Sequence, residues 1–224
     1  MNLLHVSAPF ELALLGWLVT VPAVAHAAWS VRRGFLPTSS AQHGWFAAIV
    51  TVALLWLLHV RSPVGMDFGL LGCALFALVF GRARAILGLM CALLLYTLLD
   101  HGPWLNVGIN GLLLAVLPAW LACALQRQLE RRLPKNLFIF MIGNGMFVTL
   151  VTTACVSLLL LGVSVLDSAG EPRMIADHLA YSLLLAWGEA LVSGMLFSAL
   201  VVFTPGAVLT YRQDLYLPPR RRLH

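Results

Sequence analysis

Most of the charge in this chain lies between apolar stretches long enough to cross a bilayer, and the charged gaps alternate in sign. Arg32 and Arg33 are followed by Asp67, and Arg82 and Arg84 by Asp100. Arg127, Arg131, Arg132 and Lys135 are followed by Asp167, Glu171 and Asp177, and Arg212 and Arg220 to Arg222 come last. Cytoplasmic loops of membrane proteins retain Lys and Arg, so the alternation gives both the number of crossings and their direction. Arg61 and Arg173 are exceptions, each in a loop that also carries acid. The pattern predicts an all-α, polytopic membrane protein. Its seven transmembrane helices form one bundle, with the N-terminus outside and the C-terminus inside.

Composition agrees. Of 224 residues, 61% are hydrophobic and 10% charged, against about 25% charged in a soluble domain. With a mean hydropathy of +0.91, lipid must be the solvent for much of the surface. At about 20 residues per helical span, seven spans and short loops use the whole length. The net charge of +5 is orientation charge held in the inner loops, and no nucleic-acid partner is expected. Cys73, Cys91, Cys123 and Cys155 all fall in apolar runs without a C-x-x-C pair. They read as small packing residues rather than a disulfide or zinc framework. Ala25-His26-Ala27 has the form of a signal-peptide cleavage site. However, no Lys or Arg precedes the apolar stretch, and Pro22 and His26 interrupt it, so it reads as a retained first span.

The spans are expected at about 10–29 (with a kink at Pro22), 45–60, 68–80, 86–99, 107–125, 137–161 and 175–203. Residues 1–224 form a single transmembrane domain: 1–42 the first span and basic loop, 43–203 a six-span core, and 204–224 a basic cytoplasmic tail. The third span is below the usual crossing length and needs little tilt or a thinned bilayer. Runs such as Leu158 to Leu161 exclude the alternating pattern of a β-barrel.

Glu189 lies near the middle of the last span, where insertion of a charged side chain costs roughly 2.5–3.5 kcal/mol. It must face the bundle interior, either on a substrate, ion or proton path or in an interhelical hydrogen bond that locks the bundle. Asn144 in the sixth span, and Asn106 and Asn110 at the outer part of the fifth, are further polar residues of this kind, chamber-lining or structural. A second group gathers at the predicted outer ends of spans: His5, His59, Met66, Asp67, Asp100, His101, Asp177 and His178. Imidazole and carboxylate suit nickel, cobalt, zinc or copper. His5, His59, Asp67, Asp100 and His101 are the candidate metal ligands. The same residues are also ordinary interfacial groups without a fixed ligand spacing. There is no G-x-x-x-x-G-K-[ST] and no H-E-x-x-H. Ser193-Gly194 lacks the preceding glycine of a serine-protease motif, since position 191 is Leu, and no base is placed beside it. No enzymatic activity is expected.

Three blocks carry a resemblance. They are Asn106-Val-Gly-Ile-Asn-Gly111 followed by Leu112 to Pro118, Leu70-Leu-Gly-Cys-Ala-Leu-Phe-Ala-Leu-Val-Phe-Gly81, and Gly188-Glu-Ala-Leu-Val-Ser-Gly194. In order and spacing they resemble the cobalt/nickel substrate-binding subunits of energy-coupling-factor ABC transporters, most closely a divergent proteobacterial branch. That branch ends in a segment like Glu189 to Pro205 followed by Asp214-Leu-Tyr-Leu217. The resemblance covers most of spans three to seven. It implies a permease or substrate-capture subunit in the bacterial inner (plasma) membrane that works with a transmembrane coupling protein and paired ABC ATPases. The transition-metal ion is then substrate, with no permanently bound cofactor. The family binds Ni²⁺ or Co²⁺ through the N-terminal amine, a histidine at the second position and a histidine just before the L-L-G motif. Here those positions are Asn2 and Gly69, so that ligand set does not carry over. The metal is then held by other ligands, the substrate is different, or capture is lost and the fold persists as a membrane scaffold.

The orientation has a direct test. In a background lacking the native cysteines, an impermeant thiol reagent added outside should label a cysteine at Ser168 and not one at His43; the opposite pattern would reverse the topology.

Overall fold

The computed structural model describes residues 10–32, 34–36, 38–58, 60–61, 67–68, 70–100, 103–134, 136–167 and 172–211. Among these, six helices are long and apolar enough to cross a membrane, and a seventh is much shorter. In chain order, α1 is Phe10–Val31, α2 Ser39–Leu57, α3 Cys73–Phe80 and α4 Arg82–Leu99. The α5 run, Trp104–Arg132, opens with a 3₁₀ turn at Trp104–Asn106 and widens to a π turn at Leu112–Val116. The α6 run begins as Leu137–Ile142, passes through a π turn at Gly143–Val148 and continues as Thr149–Asp167. The last helix, α7, is Pro172–Phe203. Between α2 and α3 two short strands, β1 (Val60–Arg61) and β2 (Asp67–Phe68), pair antiparallel with Val60 opposite Phe68 and Arg61 opposite Asp67.

The all-α bundle is as expected, with differences at three places. Pro22 lies inside an unbroken α1. The fifth span runs on past Leu125 to Arg132, which puts Arg127, Arg131 and Arg132 on the last turns of α5 rather than in a loop. Basic residues there suit the negative end of the helix dipole. The largest difference is the third span: Phe68 belongs to β2, and the helix starts only at Cys73. Eight residues rise about 12 Å, far short of the roughly 30 Å hydrocarbon core. A thinned bilayer is not needed, because α3 is half a crossing reached by non-helical chain.

Glycine sets both ends of α3. Gly72 (φ +66°) precedes it and Gly81 (φ +80°) follows it, conformations that cost other residues about 1–2 kcal/mol. Gly81 alone separates α3 from α4, so two helices turn back on each other at the basic pair Arg82 and Arg84. The Arg84 guanidinium donates to the Phe35 and Gly34 carbonyls, and the Trp45 indole donates to Arg84 O at 3.1 Å. These bonds tie the α1–α2 loop to the α3–α4 turn and gather the starts of α2 and α4 at one end of the bundle, the basic end. Asp100, capping the far end of α4, marks the acidic end.

Elsewhere small residues let backbones touch. In the α1–α5 contact, Thr20 Oγ1 donates to Gly108 O at 2.8 Å and the Trp17 indole to Leu105 O at 3.2 Å. α6 and α7 cross at Gly145 and Gly194, where a Cβ on Gly145 would lie 3.0 Å from Gly194 Cα. Close approach of this kind replaces the hydrophobic drive that lipid removes. Leu78, Leu89, Leu93 and Phe197 fill the interior, whereas Leu18, Leu54, Leu184 and Met195 point outward, as a lipid-facing surface requires.

A methyl at Gly16 would meet the Ile109 backbone nitrogen at 2.4 Å, with no flexible side chain to yield, whereas nothing lies within 4 Å of one at Gly188. Gly16→Ala should therefore destabilise by about 1–3 kcal/mol, read as a lower Tm in detergent. Gly188→Ala should be neutral or slightly stabilising. Equal melting of the two variants would show that the α1–α5 contact is looser than described.

Candidate functional site

The buried polar groups converge on Glu189. This side chain is 1% exposed, in the middle of α7. Its Oε2 accepts the Leu71 N–H at 3.1 Å and its Oε1 the Gly72 N–H at 2.9 Å. The Thr153 hydroxyl of α6 is a third donor. Leu70 to Gly72 are non-helical at membrane depth, where a buried amide left unpaired costs several kcal/mol. The carboxylate supplies those partners, and it sits at the positive end of the α3 dipole. Glu189 thus bonds two backbone amides ahead of α3 and a polar side chain on the neighbouring α6.

The other end of α3 is held from the same direction. Past α7 and a 3₁₀ turn at Pro205–Ala207, the Leu209 N–H donates to Val79 O at 2.8 Å and the Thr210 hydroxyl donates to Leu78 O. The Gly81 N–H closes on Ala77 O at 2.9 Å. Three of the last carbonyls of α3, which a free helix end leaves open, thus have partners. Tyr211 then packs on Phe140 with ring centroids 5.3 Å apart. On the α2 side, the Trp56 indole donates to Leu71 O at 2.8 Å. The broken third span is therefore gripped at both ends by α7 and its sequel and steadied by α2.

The candidate metal ligands are only partly visible. His5, His59 and His101 lie outside the described residues. Asp67 is placed by its backbone in β2, opposite Arg61. Asp100 caps α4, and its Oδ2 accepts the Tyr96 hydroxyl at 2.7 Å, which fixes the carboxylate at the acidic end. Because α2 and α4 run in the same direction, the β1–β2 ladder that follows α2 lies at that end too. Among the described residues no three His, Cys, Asp or Glu side chains come together as a metal cluster.

Asn106 and Asn110 are both buried in the first turns of α5, at the acidic half. Asn144 is buried in the π turn of α6, apart from Glu189. Its Oδ1 has no protein partner, and it borders a cavity of about 10 Å³ shared with Glu130, enough for one water. A larger cleft of about 750 Å³ runs between α2 and α7 over α3, from Thr38 and Gly206 to Gly72 and Glu189. Apart from Glu189 its lining is apolar or hydroxylic, and it runs along nearly all of α2, from Thr38 at the basic end to Leu55 and Leu70 toward the acidic end. It suits hydrocarbon better than an ion.

Sequence reasoning passed over one set of residues. Thr149, Thr152, Thr153 and Ser157 on α6, with Ser182 on α7, are all buried. Their helical spacing was readable, but single hydroxyls in a span are too common to stand out.

Comparison with known proteins places this geometry. The family model described as the cobalt uptake substrate-specific transmembrane region (CbiM) matches residues 7–207. No curated protein sequence matches the chain. Two solved structures share the fold. One, a truncated transition metal transporter, superposes with a TM-score of 0.72 at 16% identity, covering 87% of this chain and 95% of its own. The other, a transition metal transporter, gives 0.72 at 16% identity and covers 88% and 92%.

Removing the carboxylate should loosen α3. Glu189→Gln keeps one acceptor but turns an NH₂ toward the other amide, so it should cost about 1–3 kcal/mol; Glu189→Leu leaves both amides unpaired and should cost more. Thermal unfolding of the purified variants gives the order wild type, Gln, Leu. A Leu variant as stable as wild type would show that the clamp does not hold the span.

Proposed function

The chain belongs to the cobalt uptake substrate-specific transmembrane family, and on that premise we propose that it is the substrate-capture subunit, or permease, of an energy-coupling-factor ABC transporter for a transition-metal ion. The observation that carries the reading is the broken third span. Non-helical backbone at membrane depth is tolerated only where protein buries it or where it lines a cavity, and interrupted helices are a recurrent way of building substrate sites in transport proteins. Here the interruption, Leu70 to Gly72, carries the motif L-L-G, and α7 holds it in place through Glu189.

In this reading the acidic end faces outward and captures the ion. Ni²⁺, Co²⁺, Cu²⁺ and Zn²⁺ are the candidate substrates, and the ligands are drawn from His5, His59, Asp67, Asp100 and His101. Asn106 and Asn110 border the chamber below them. The subunit carries out no bond-making chemistry. Energy comes from ABC ATPases through a transmembrane coupling protein, at the inner membrane of a bacterium. A second reading has one observation in its favour: Asn2 and Gly69 stand where the family places imidazoles. A chain that had lost capture would keep the fold as a membrane scaffold.

Equilibrium titration of the purified full-length protein separates the two. Capture predicts stoichiometric binding of one of the four ions at micromolar concentration. Metal ligands must be deprotonated, so affinity should fall as pH drops through the imidazole range near roughly 6.5. Replacing His5 and His101 together by alanine should abolish binding while the protein still elutes as wild type on size exclusion. Absence of binding by the wild type supports the scaffold; unchanged binding by the double variant rejects this ligand set.

A further inference from the structure

The faces that α6 and α7 turn toward each other are lined with oxygen rather than hydrocarbon. Thr149, Thr153 and Ser157 stand four residues apart and share one face of α6, with Thr152 beside them. Thr153 reaches Glu189, which points that face at α7. Ser182 lies seven residues before Glu189, on the same face of α7. The Gly145–Gly194 crossing fixes the antiparallel register. Measured from it, Ser157 and Ser182 are each twelve residues away, so they are level with one another, about 18 Å from the crossing. Glu189 and Thr149 are level near about 6–8 Å, with Thr152 between the two tiers.

All of these side chains are nearly inaccessible. Yet Thr149 Oγ1, Thr152 Oγ1, Ser157 Oγ and Ser182 Oγ have no hydrogen-bonding partner in the protein. Ser157 and Ser182, level as they are, do not bond each other. The geometry elsewhere does bond such groups where it can: Thr97 Oγ1, in α4, donates to the Leu93 carbonyl four residues back at 2.8 Å. Four orphaned hydroxyls in one seam are expensive if dry, and native interiors satisfy such groups with water. The seam also has two different ends. Toward the basic end the touching glycine backbones close it. Toward the acidic end, Gly162 of α6, five residues beyond Ser157, has open space where a Cβ would stand.

We propose that the α6–α7 seam is a water-filled, oxygen-lined track that opens at the acidic end of the bundle, descends past Ser182, Ser157 and Thr152, and stops at Glu189. Its ligand is water, together with a small hydrated cation that exchanges part of its shell for hydroxyl oxygens. The track itself stands independently of the function proposed above; only the claim that the substrate metal ion enters it rests on that reading.

Silver ion tests the track, because Ag⁺ displaces the proton of a thiol only where water carries it. Ser157→Cys, Ser182→Cys and Thr152→Cys, near-isosteric changes, are made one at a time in a background without the native cysteines and reconstituted in liposomes. Ag⁺ is added, the protein is denatured, and remaining thiols are counted with a maleimide dye. Two controls bracket the result: Leu158→Cys on the lipid face and Ala92→Cys in the apolar interior. The track predicts at least tenfold faster blocking at 152, 157 and 182 than at either control. Rates equal to that of Ala92→Cys overturn it. A second measurement uses the native cysteines: the Ser157→Ala, Ser182→Ala double variant should melt lower than wild type if water binds these hydroxyls, and higher if they stand dry, which would also overturn the proposal. Co²⁺ slowing of the Ag⁺ reaction at 157 supports entry of the substrate ion. Fast Ag⁺ blocking that Co²⁺ leaves unchanged removes entry of the substrate ion from the proposal, while the water track remains and metal capture at the acidic end is decided by the titration above.

Discussion

A carboxylate in the middle of a bilayer and an unwound stretch of backbone at the same depth are each costly, and this fold places one against the other. Glu189 offers acceptors without donors, and Leu71 and Gly72 offer donors that no helix or sheet uses. Neither would be tolerable alone in hydrocarbon. Together they let α3 begin at mid-membrane, with the non-helical Leu70 to Gly72 ahead of it. The short α3–α4 turn, the docking of the α1–α2 loop on Arg84 and the return of the tail onto Leu78 and Val79 all presuppose α3 in that position.

The bundle is polar along one seam and apolar around it, and the division follows the helices. α4 and the second half of α5 meet α3 through aliphatic and aromatic side chains, and α1 meets α5 through glycine and hydroxyl contacts. α6 and α7 instead combine a glycine crossing with hydroxyls on both sides. Rigid close contact sits at one end of this pair and hydrogen-bonding capacity at the other. The two π turns, after Asn110 and around Asn144, add to the irregularity: each widens a helix beside a buried amide. π bulges are often found at functional sites, and these two stand next to residues singled out for their polarity alone.

The crossings and the fold class were legible because lipid imposes them residue by residue. Apolar runs of sufficient length must be helices, and charge must lie between them. The family was legible from three motifs, and the match over residues 7–207 agrees. The length of α3 was not legible. Phe68, Leu70 and Leu71 continue the apolar run through positions where the backbone is not helical, and hydropathy does not register backbone geometry. The need for a partner to Glu189 followed from its depth. The partner's identity did not, because backbone amides carry no sequence label. The glycines at 72 and 81 bracketed the answer, but a glycine in a membrane span more often marks packing. The hydroxyl row on α6 was hidden for a similar reason: each Ser or Thr is individually cheap in a helix, and only the register with α7 turns spacing into a shared surface. Three of the five candidate ligands fall outside the described residues, so the metal site stands as a proposal.

Both grips on α3 come from residues far downstream of it in sequence. The chain is made from its N-terminus, so Leu71 and Gly72 leave the ribosome more than a hundred residues before Glu189, and Leu209 follows later still. During that interval the third segment has no lawful place in lipid. It must wait at the insertion machinery or at the membrane surface until the last helix arrives. Assembly of this bundle is therefore gated by the arrival of α7. A chain that stops short of α7 leaves an unpaired, half-length segment, which membrane quality control can recognise without inspecting any functional site.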